Sequence, residues 1–433
     1  MSRSLVLVLA CAALIGCGSS TSGSSGSSGS VGASGSSGTH GSTGGGSNTT
    51  TTSTGTTTGG TNGSTGATTT TSTSSSTTTG GTSGATTGGP WTAGNPDGSC
   101  SAGVPAGGNP VDTSNPTTVV GTGDAASCTF AALSAAVAQG GIITFNCGSA
   151  PVTIAVTATL NVPYDRDTVI DGAQKITLDG QGSVQILNFN SPDFQHNEHR
   201  LTVQHLAFAN ARTNPTQAIP TAPPPCSQGW DDGEGGAIYM RDGNLTVIDC
   251  IFTTNHAAPL GPDTGGGAIY VLGSKHGMLI VGSTFKSNDA ANAGAVGGLF
   301  CEEDIYNSLF DSNSAIGNGA NNDDASQCSV INNGQNEIGS GGNGGAIYSD
   351  GNSVDINLCG DEITNNHAGQ GAFGGGLFFT SNNMAGNLTI ADCTITGNTG
   401  GHWTNSNSGV SDLGSAVGTN CNSITVTNST IQP

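Results

Sequence analysis

From about Leu201 to its end, the chain repeats one arrangement of apolar positions. Two apolar residues lie two positions apart, a third follows about seven residues after the first, and Asn usually comes three residues later. The pair predicts a short strand with one face inward. The third residue lies an odd number of positions after the first and would face outward in a continuous strand, so a bend must come before it. The copies are Leu201, Val203 and Phe208; Leu245, Val247, Phe252 and Asn255; Leu279, Val281, Phe285 and Asn288; a degenerate copy with Phe310 and Asn313; Val354, Ile356, Ile363 and Asn366; Leu388, Ile390, Ile395 and Asn398; and Ile424, Val426 and Ile431.

A second signal of small residues precedes most copies. It reads Gly-Ala-Ile from Gly236, Gly267 and Gly345, Gly-Gly-Leu from Gly375, and Ser-Ala-Val from Ser415. Copies lie roughly 25 to 35 residues apart, and a period in that range without helical spacing indicates a solenoid. We therefore expect an all-β fold, a right-handed parallel β-helix. Equivalent residues of neighbouring coils would stack about 4.8 Å apart into aliphatic, Phe and Asn ladders.

An Ala-rich segment before the repeats has apolar residues at helical spacing. It covers residues 129–139, with Thr129 as N-cap and Gly140 as the stop. We expect a short N-terminal capping helix over the open edge of the first coil, with the solenoid starting near Ile142.

The alternating Gly-Gly-Ala-Ile and Phe-x-x-Asn elements resemble the repeats of the polymorphic outer-membrane protein family, within the pectate-lyase-like superfamily. The resemblance covers about residues 201–431 and implies a right-handed parallel β-helix. Pectate lyases and polygalacturonases share that fold. The resemblance implies Ca²⁺ with a basic Arg for the lyases, and an Asp-Asp pair with Gly-His-Gly and Arg-x-Lys for the hydrolases. Of these parts, only Asp231-Asp232 is present, and fold alone does not establish a site.

The N-terminus has the features of an export signal. Arg3 precedes an apolar run over residues 5–15, which is too short to span a bilayer. The following Leu14-Ile15-Gly16-Cys17 resembles the lipobox of bacterial lipoproteins, which implies cleavage before Cys17 and its acylation; the alternative is an ordinary signal with an incidental cysteine. We expect a signal peptide at 1–16, a Ser/Thr/Gly-rich disordered tether at 17–95, and the β-helix domain at 96–433. The expected location is the outer membrane or cell surface.

The charge of the chain restricts its partners. The 433 residues include 8 Lys plus Arg against 29 Asp plus Glu, for a formal net charge of −21. This balance excludes a nucleic-acid binder that neutralises phosphates, and it disfavours a basic peripheral membrane protein. We expect a glycan or another cell-surface ligand as partner, and membrane attachment through lipid only.

The cysteines fit an oxidising compartment. Of the 12 cysteines, Cys11 lies in the signal and Cys17 is assigned to lipid, and an exported domain favours disulfides among the rest. Cys128 and Cys147 bracket the expected helix and form the first candidate pair. Cys359 and Cys393 take the same slot in consecutive coils and form a second; the alternative is a ladder of buried free thiols. The chain contains no CxxC spacing, so we do not expect a zinc site.

The longest insertions all follow the Asn position. They cover residues 209–235, 314–343 and 399–413, so we expect them to emerge along one side of the solenoid, where binding usually occurs. The candidate ligand-binding residues of that side are Trp230, Glu234, His256, His367, His402 and Trp403; the catalytic candidates are Asp231 and Asp232; and the Ca²⁺ candidates are Asp263, Asp323 and Asp324.

Each of these groups has a functional and a structural interpretation. Exposed Trp beside carboxylates suits a carbohydrate groove, but Trp also pins loops to a scaffold. Adjacent aspartates provide the two carboxyl groups that glycoside hydrolysis needs, but they also form solvated turns. Clustered carboxylates suit Ca²⁺, although no cofactor is required. His256 and His367 lie in matching Asn-His-Ala segments, which could place them on one face, and the alternative is lone surface imidazoles.

We therefore expect a lipid-anchored surface protein whose β-helix serves adhesion or glycan binding without catalysis. The first alternative is a polysaccharide lyase or glycoside hydrolase of the pectate-lyase-like superfamily, acting on acidic or neutral glycans. The second is a purely structural coat or spacer.

Overall fold

A computed structural model describes residues 91–216, 232–261, 264–317, 341–369, 371–400, 410–413 and 416–432. These residues all belong to the second of two units into which the chain divides, Ser83–Pro433. Their regular secondary structure is almost entirely short strands, because short apolar alternations are broken every few residues by Gly, Asn and Asp. No described helix is long and apolar enough to cross a membrane.

The helices and strands of the described residues follow in chain order. The helices are a 3₁₀ turn at Ala125–Ser127 and α1 at Phe130–Gln139. The first strands are β1 (Thr118–Val120), β2 (Gly141–Phe145), β3 (Val152–Ala155), β4 (Leu160–Val162), β5 (Thr168–Asp179), β6 (Leu187–Asn190), β7 (Arg200–Ala209), β8 (Ile238–Arg241), β9 (Asn244–Ile248) and β10 (Ile251–Thr253). The middle strands are β11 (Ile269–Leu272), β12 (Met278–Val281), β13 (Thr284–Lys286), β14 (Asp289–Ala290), β15 (Val296–Leu299), β16 (Glu303–Tyr306), β17 (Leu309–Asp311) and β18 (Ser314–Ala315). The last strands are β19 (Ile347–Gly351), β20 (Ile356–Cys359), β21 (Glu362–Thr364), β22 (Leu377–Ser381), β23 (Asn387–Ala391), β24 (Thr394–Thr396), β25 (Val410–Leu413), β26 (Val417–Asn420), β27 (Ser423–Thr427) and β28 (Thr430–Ile431).

The strands stack into long parallel sheets. A nine-stranded sheet has the order β4-β6-β8-β11-β15-β19-β22-β26-β25, parallel except for its last pair. A seventeen-stranded sheet contains two columns. Column A runs from β1 through β2, β5, β7, β9, β12, β16, β20 and β23 to β27, and column B runs from β3 through β5, β7, β10, β13, β17, β21 and β24 to β28.

One coil of the chain visits these sheets in turn, as β8, β9 and β10 do: the nine-stranded sheet, then column A, then column B. The fold is thus all-β with stacked parallel sheets, which is compatible with a parallel β-helix.

The interior between the sheets is built from ladders of like residues. Phe208, Phe252, Phe285 and Phe310 are fully buried, and their rings stack in sequence with centroids 4.7, 4.8 and 4.7 Å apart. These distances match the spacing of neighbouring strands, so the rings repeat at the period of the backbone. Ile363 continues the same position in the next coil.

A buried Asn ladder lies beside the Phe ladder. Its members are Asn255, Asn288, Asn313, Asn366 and Asn398. In each of the first four, both the backbone N–H and the side-chain amide donate to Oδ1 of the next member, at 2.8–3.0 Å. Each side-chain amide also donates to a carbonyl of the preceding coil. The ladder therefore satisfies the backbone groups at a turn that the sheets leave unpaired.

The pairing register of the strands corrects the residues expected to face inward in two copies of the repeat. In β12, Met278 and Ile280 point inward and pair with Leu245 and Val247, so the expected Leu279 and Val281 face outward. In β20, Ile356 takes the position of Leu388, whereas Val354 precedes the strand. Residues 278–281 are all apolar, and Val354, Ile356 and Leu358 form three alternating apolar positions, so spacing alone left the register of both copies undetermined.

Helix α1 has Thr129 as its N-cap, whose hydroxyl accepts from the Ala132 N–H at 3.2 Å. The helix buries Leu133, Ala136 and Val137 and lies against β1 and β4, which are edge strands of the two large sheets.

Residues 91–117, here called the strap, cross the outer face of column A. The indole N–H of Trp91 donates to Asp249 at 3.0 Å, the Ser101 N–H donates to Asp392 at 2.8 Å, and the Thr113 hydroxyl donates to Asp171 at 2.9 Å. The strap thus contacts coils from one end of the column to the other. It passes over outward-facing apolar residues such as Val281, which is 8% exposed.

Two disulfides lie in the described part of the chain. Cys128 is bonded to Cys147, as the sequence predicts. Cys359 is bonded to Cys100 of the strap, so the expected bond between Cys359 and Cys393 is wrong, and Cys393 is a buried free thiol. The physical reason is the register: Cys359 pairs with Ala391, two residues before Cys393, and faces the strap.

Candidate functional site

The insertions all join column B to the nine-stranded sheet, and their described ends meet on one flank. The Gly369 N–H donates to the Gly342 carbonyl at 2.7 Å, and the Ala258 N–H donates to the Gly233 carbonyl at 2.9 Å. Gly342 in turn lies against the Gly317 carbonyl. The Ala291 N–H donates to the Ala258 carbonyl and the Gly342 N–H to the Ala291 carbonyl, so the bases of the first two insertions are linked through the turns of the coils between them. We call this side the insertion flank.

A short ladder of polar residues follows the Asn ladder along this flank. Its members pair in register across the coils as Arg212, His256, Asp289, Ser314, His367 and Thr399. We call it the flank ladder. Because each residue follows an Asn-ladder position or its equivalent, the fixed register of the Asn side chains also fixes the order of these side chains.

His256 and Asp289 form the imidazole–carboxylate pair of the flank ladder. Nδ1 of His256 lies 2.6 Å from Oδ2 of Asp289, and the two side chains are 19% and 30% exposed. A carboxylate on Nδ1 orients the imidazole and leaves Nε2 for another partner. This pair can bind a polar ligand or act as a general base.

His367 lies further along the same ladder. Its Nδ1 is 2.5 Å from the Thr399 hydroxyl. Asp289 and Ser314 lie between the two histidines, which places His256 and His367 three steps, or roughly 14 Å, apart. The structure puts both histidines on one flank but does not join them into one site.

Asp232 and Glu234 lie where the first long insertion returns. Oδ2 of Asp232 accepts from the Thr216 N–H at 2.8 Å and from the Thr216 hydroxyl, which ties the two ends of the insertion together. The Glu234 carbonyl accepts from Gln185 at 3.0 Å. These contacts give Asp232 a role in holding the loop.

Several predicted site residues fall outside the described residues. They are Cys17, Trp230, Asp231, Asp263, Asp323, Asp324, His402 and Trp403.

A polar cluster under the strap escaped the sequence prediction. His205 lies between two carboxylates, with Nδ1 3.1 Å from Asp171 and Nε2 3.8 Å from Asp249. Burial raises the pKa of Asp171, but hydrogen bonds from Ala173, Gln204 and the strap outweigh it and hold that pKa below its usual value. Its partners are supplied by three coils and the strap, so no local motif marks the cluster.

An aromatic ladder on the outer face of the nine-stranded sheet was also missed. Tyr239, Tyr270, Tyr348 and Phe378 occupy equivalent positions, and the rings of Tyr348 and Phe378 stack at 5.5 Å. Burial raises the pKa of Tyr239, and Tyr270 is only 2% exposed. The sequence signal was an aromatic residue directly after four of the small-residue motifs, those that begin at Gly236, Gly267, Gly345 and Gly375. The burial favours packing as its role.

Within the described chain, one group of three metal-ligand side chains lies close together: Cys100, Cys359 and Asp392. Both sulfurs belong to one disulfide, so neither is a thiolate ligand. This group therefore does not fit a metal centre.

No family model, curated protein or solved structure matches the chain.

Proposed function

We propose that this chain is an exported, surface-displayed right-handed parallel β-helix whose insertion flank binds glycans without catalysis. Support for the β-helix comes from the stacked parallel sheets and the internal Phe and Asn ladders. Support for the right hand is general, since parallel strand connections are right-handed in about 98% of cases. In this proposal α1 caps the first coil, Cys17 carries the lipid, and residues 17–95 form the tether.

The observation that carries the binding role is the convergence of the insertion bases beside the flank ladder. Loops displayed on a rigid scaffold are the usual carriers of recognition. The flank ladder adds donors and acceptors at fixed spacing, including the His256–Asp289 pair. Sugar hydroxyls need both kinds of group, and Trp230 and Trp403 of the insertions would supply flat apolar faces.

A second candidate function is polysaccharide hydrolysis or lysis at the same flank. The His256–Asp289 pair favours it, because a carboxylate-oriented imidazole is a common general base. Release of reducing or unsaturated sugar ends, lost in Asp289→Asn, would establish this candidate in place of the binding role.

A glycan array probed with the full chain tests the proposal. We expect binding to a defined set of glycans that falls at least tenfold in Trp230→Ala or Trp403→Ala. Trp91→Ala is the matched control, because Trp91 belongs to the strap on another face, and it should bind like the parent. The absence of any glycan bound by the folded parent would contradict the proposal.

A further inference from the structure

A cleft of about 300 Å³ opens where the chain leaves the nine-stranded sheet for column A. The insertions precede the strands of that sheet, whereas this cleft follows them, at the opposite edge. Its lining includes Tyr164, Ser191, Asp193, His196, Asn197 and His199. We call it the Tyr164 cleft.

Buried polar side chains hold the walls of the cleft. Asn197, 7% exposed, donates from Nδ2 to the Tyr164 carbonyl at 3.0 Å and accepts the His199 N–H on Oδ1 at 2.8 Å. The fully buried Asp242 accepts from the Ser191 hydroxyl at 3.0 Å and from the His196 N–H at 3.2 Å. The two loops of the cleft are therefore fixed to each other and to the next coil.

Tyr164 offers an open aromatic face at the rim. Its side chain is 46% exposed, and it is the one aromatic among the exposed large apolar residues of the described chain. An amphipathic ring at the edge of a polar cleft is suited to stack against the apolar face of a sugar.

The remaining lining groups supply acceptors and donors for hydroxyls. Nδ1 of His196 lies 2.6 Å from the Phe194 carbonyl and so donates to it, which leaves Nε2 for a hydroxyl of the ligand. Asp193 adds a carboxylate, and its backbone N–H donates to the Ser191 hydroxyl at 3.1 Å, which fixes the loop that carries it.

The charges of the cleft select against an acidic ligand. Asp165, Asp193 and Glu198 all line it. Hydrogen bonds from Lys275 and then His276 lower the pKa of Glu198 to about 2, and Arg166 lowers the pKa of Asp165. Asp165 and Glu198 are thus ionised, and Arg166 and Lys275 already pair with them. A uronate would meet negative charge without a free cation.

We propose that a neutral sugar residue binds in the Tyr164 cleft, with its apolar face on the Tyr164 ring and its hydroxyls on Asp193 and His196. This site goes beyond the proposed function, because it is separate from the insertion flank and does not depend on it.

Saturation-transfer NMR of the full chain with neutral methyl hexosides and with glucuronate tests this site. We expect millimolar binding of at least one neutral hexoside, lost at least tenfold in Tyr164→Ala and retained in Tyr164→Phe, which keeps the ring. Glucuronate should bind at least tenfold more weakly. Tyr164 is exposed, so the thermal midpoint should be equal in all three proteins.

A double variant of the flank, Trp230→Ala with Trp403→Ala, separates this site from the proposed function. The hexoside signal should survive in that variant even where binding on the glycan array is lost. The proposal is overturned if no neutral hexoside binds, if Tyr164→Ala binds like the parent, if glucuronate is preferred, or if the signal disappears in the flank variant.

Discussion

The side-chain amide of Asn288 donates a 2.9 Å hydrogen bond to Oδ1 of Asn313, the equivalent residue of the next coil. Asn288 also donates to the Phe252 carbonyl and accepts from Asn255, all in a fully buried environment. One side chain thus satisfies polar groups of both neighbouring coils, which no residue without both a donor and an acceptor can do.

Replacing Asn288 with Ala should therefore lower the free energy of unfolding by about 2–3 kcal/mol, because buried donors and an acceptor lose their partners. Urea denaturation followed by circular dichroism measures the change. Asn115→Ala, at an exposed position of the strap, should stay within about 0.5 kcal/mol of the parent. Equal stability of the two variants would mean that the ladder is dispensable.

The Phe ladder makes a graded prediction at Phe285. Phe285→Ala should cost about 3–5 kcal/mol, since it leaves a cavity between two stacked rings. Phe285→Ile should cost clearly less, because Ile363 and Ile395 occupy the same position in later coils. The same denaturation experiment compares them, and a milder effect for Ala than for Ile would contradict the stacked interior.

Glu303 lies in an interior column in which its neighbours on both sides are apolar. It pairs in register with Met278 and Ile356, it is fully buried, and neither carboxyl oxygen has a hydrogen-bond partner. Burial raises the pKa of Glu303 to about 8, so the native protein holds this carboxyl protonated while the unfolded chain ionises near its ordinary value of 4.5.

This difference predicts that Glu303 makes the protein less stable as pH rises. Between about pH 4.5 and pH 8 the unfolded state binds fewer protons than the native state, so the free energy of unfolding falls by roughly 3–5 kcal/mol across that window. Above pH 8 this contribution stays constant. Glu303→Met should remove this component and be more stable than the parent at pH 8. Asp97→Asn, an exposed charge removal, should keep the parent's pH profile. Parallel profiles for the parent and Glu303→Met would show that the carboxyl does not titrate in this way.

The Cys100–Cys359 bond is the covalent attachment of the strap to the sheet. Replacing both cysteines with Ser should speed thermolysin cleavage near Val111 at least tenfold, because the strap is then held by hydrogen bonds alone. Mass spectrometry of timed digests locates the cut. The matched variant, Cys128→Ser with Cys147→Ser, removes a loop closure worth about 3 kcal/mol and should not open the strap selectively. Identical digestion of both variants would show that the bond does not hold the strap.

The sequence was sufficient for the features that repeat. Phe252, Phe285 and Phe310 recur at the period of the coils, and their rings stack in the structure. Helix α1 was predicted from local signals, namely the N-cap residue Thr129 and the apolar spacing that follows it. All four residues from Met278 to Val281 are apolar, so a period of two allows either alternate pair to face the interior. The pair that faces outward is apolar because the strap covers it, as it covers Val281.

The strap and the sites near it were beyond sequence reasoning for a different reason. Cys100 and Cys359 are 259 residues apart, and nothing local in either segment marks the pairing. The walls of the Tyr164 cleft likewise come from loops of successive coils, which only the folded register brings together. The Asn-His-Ala segments placed His256 and His367 on one flank, but the Asp289 partner of His256 lies in the next coil.

A crystal structure that contains residues 91–433 tests the central claim most directly. The account predicts that the rings of Phe252, Phe285 and Phe310 lie in one column with centroids 4.7–4.8 Å apart, and that the insertions after residues 216, 317 and 400 leave from one side. Rings in separate environments, or insertions distributed around the molecule, would contradict it.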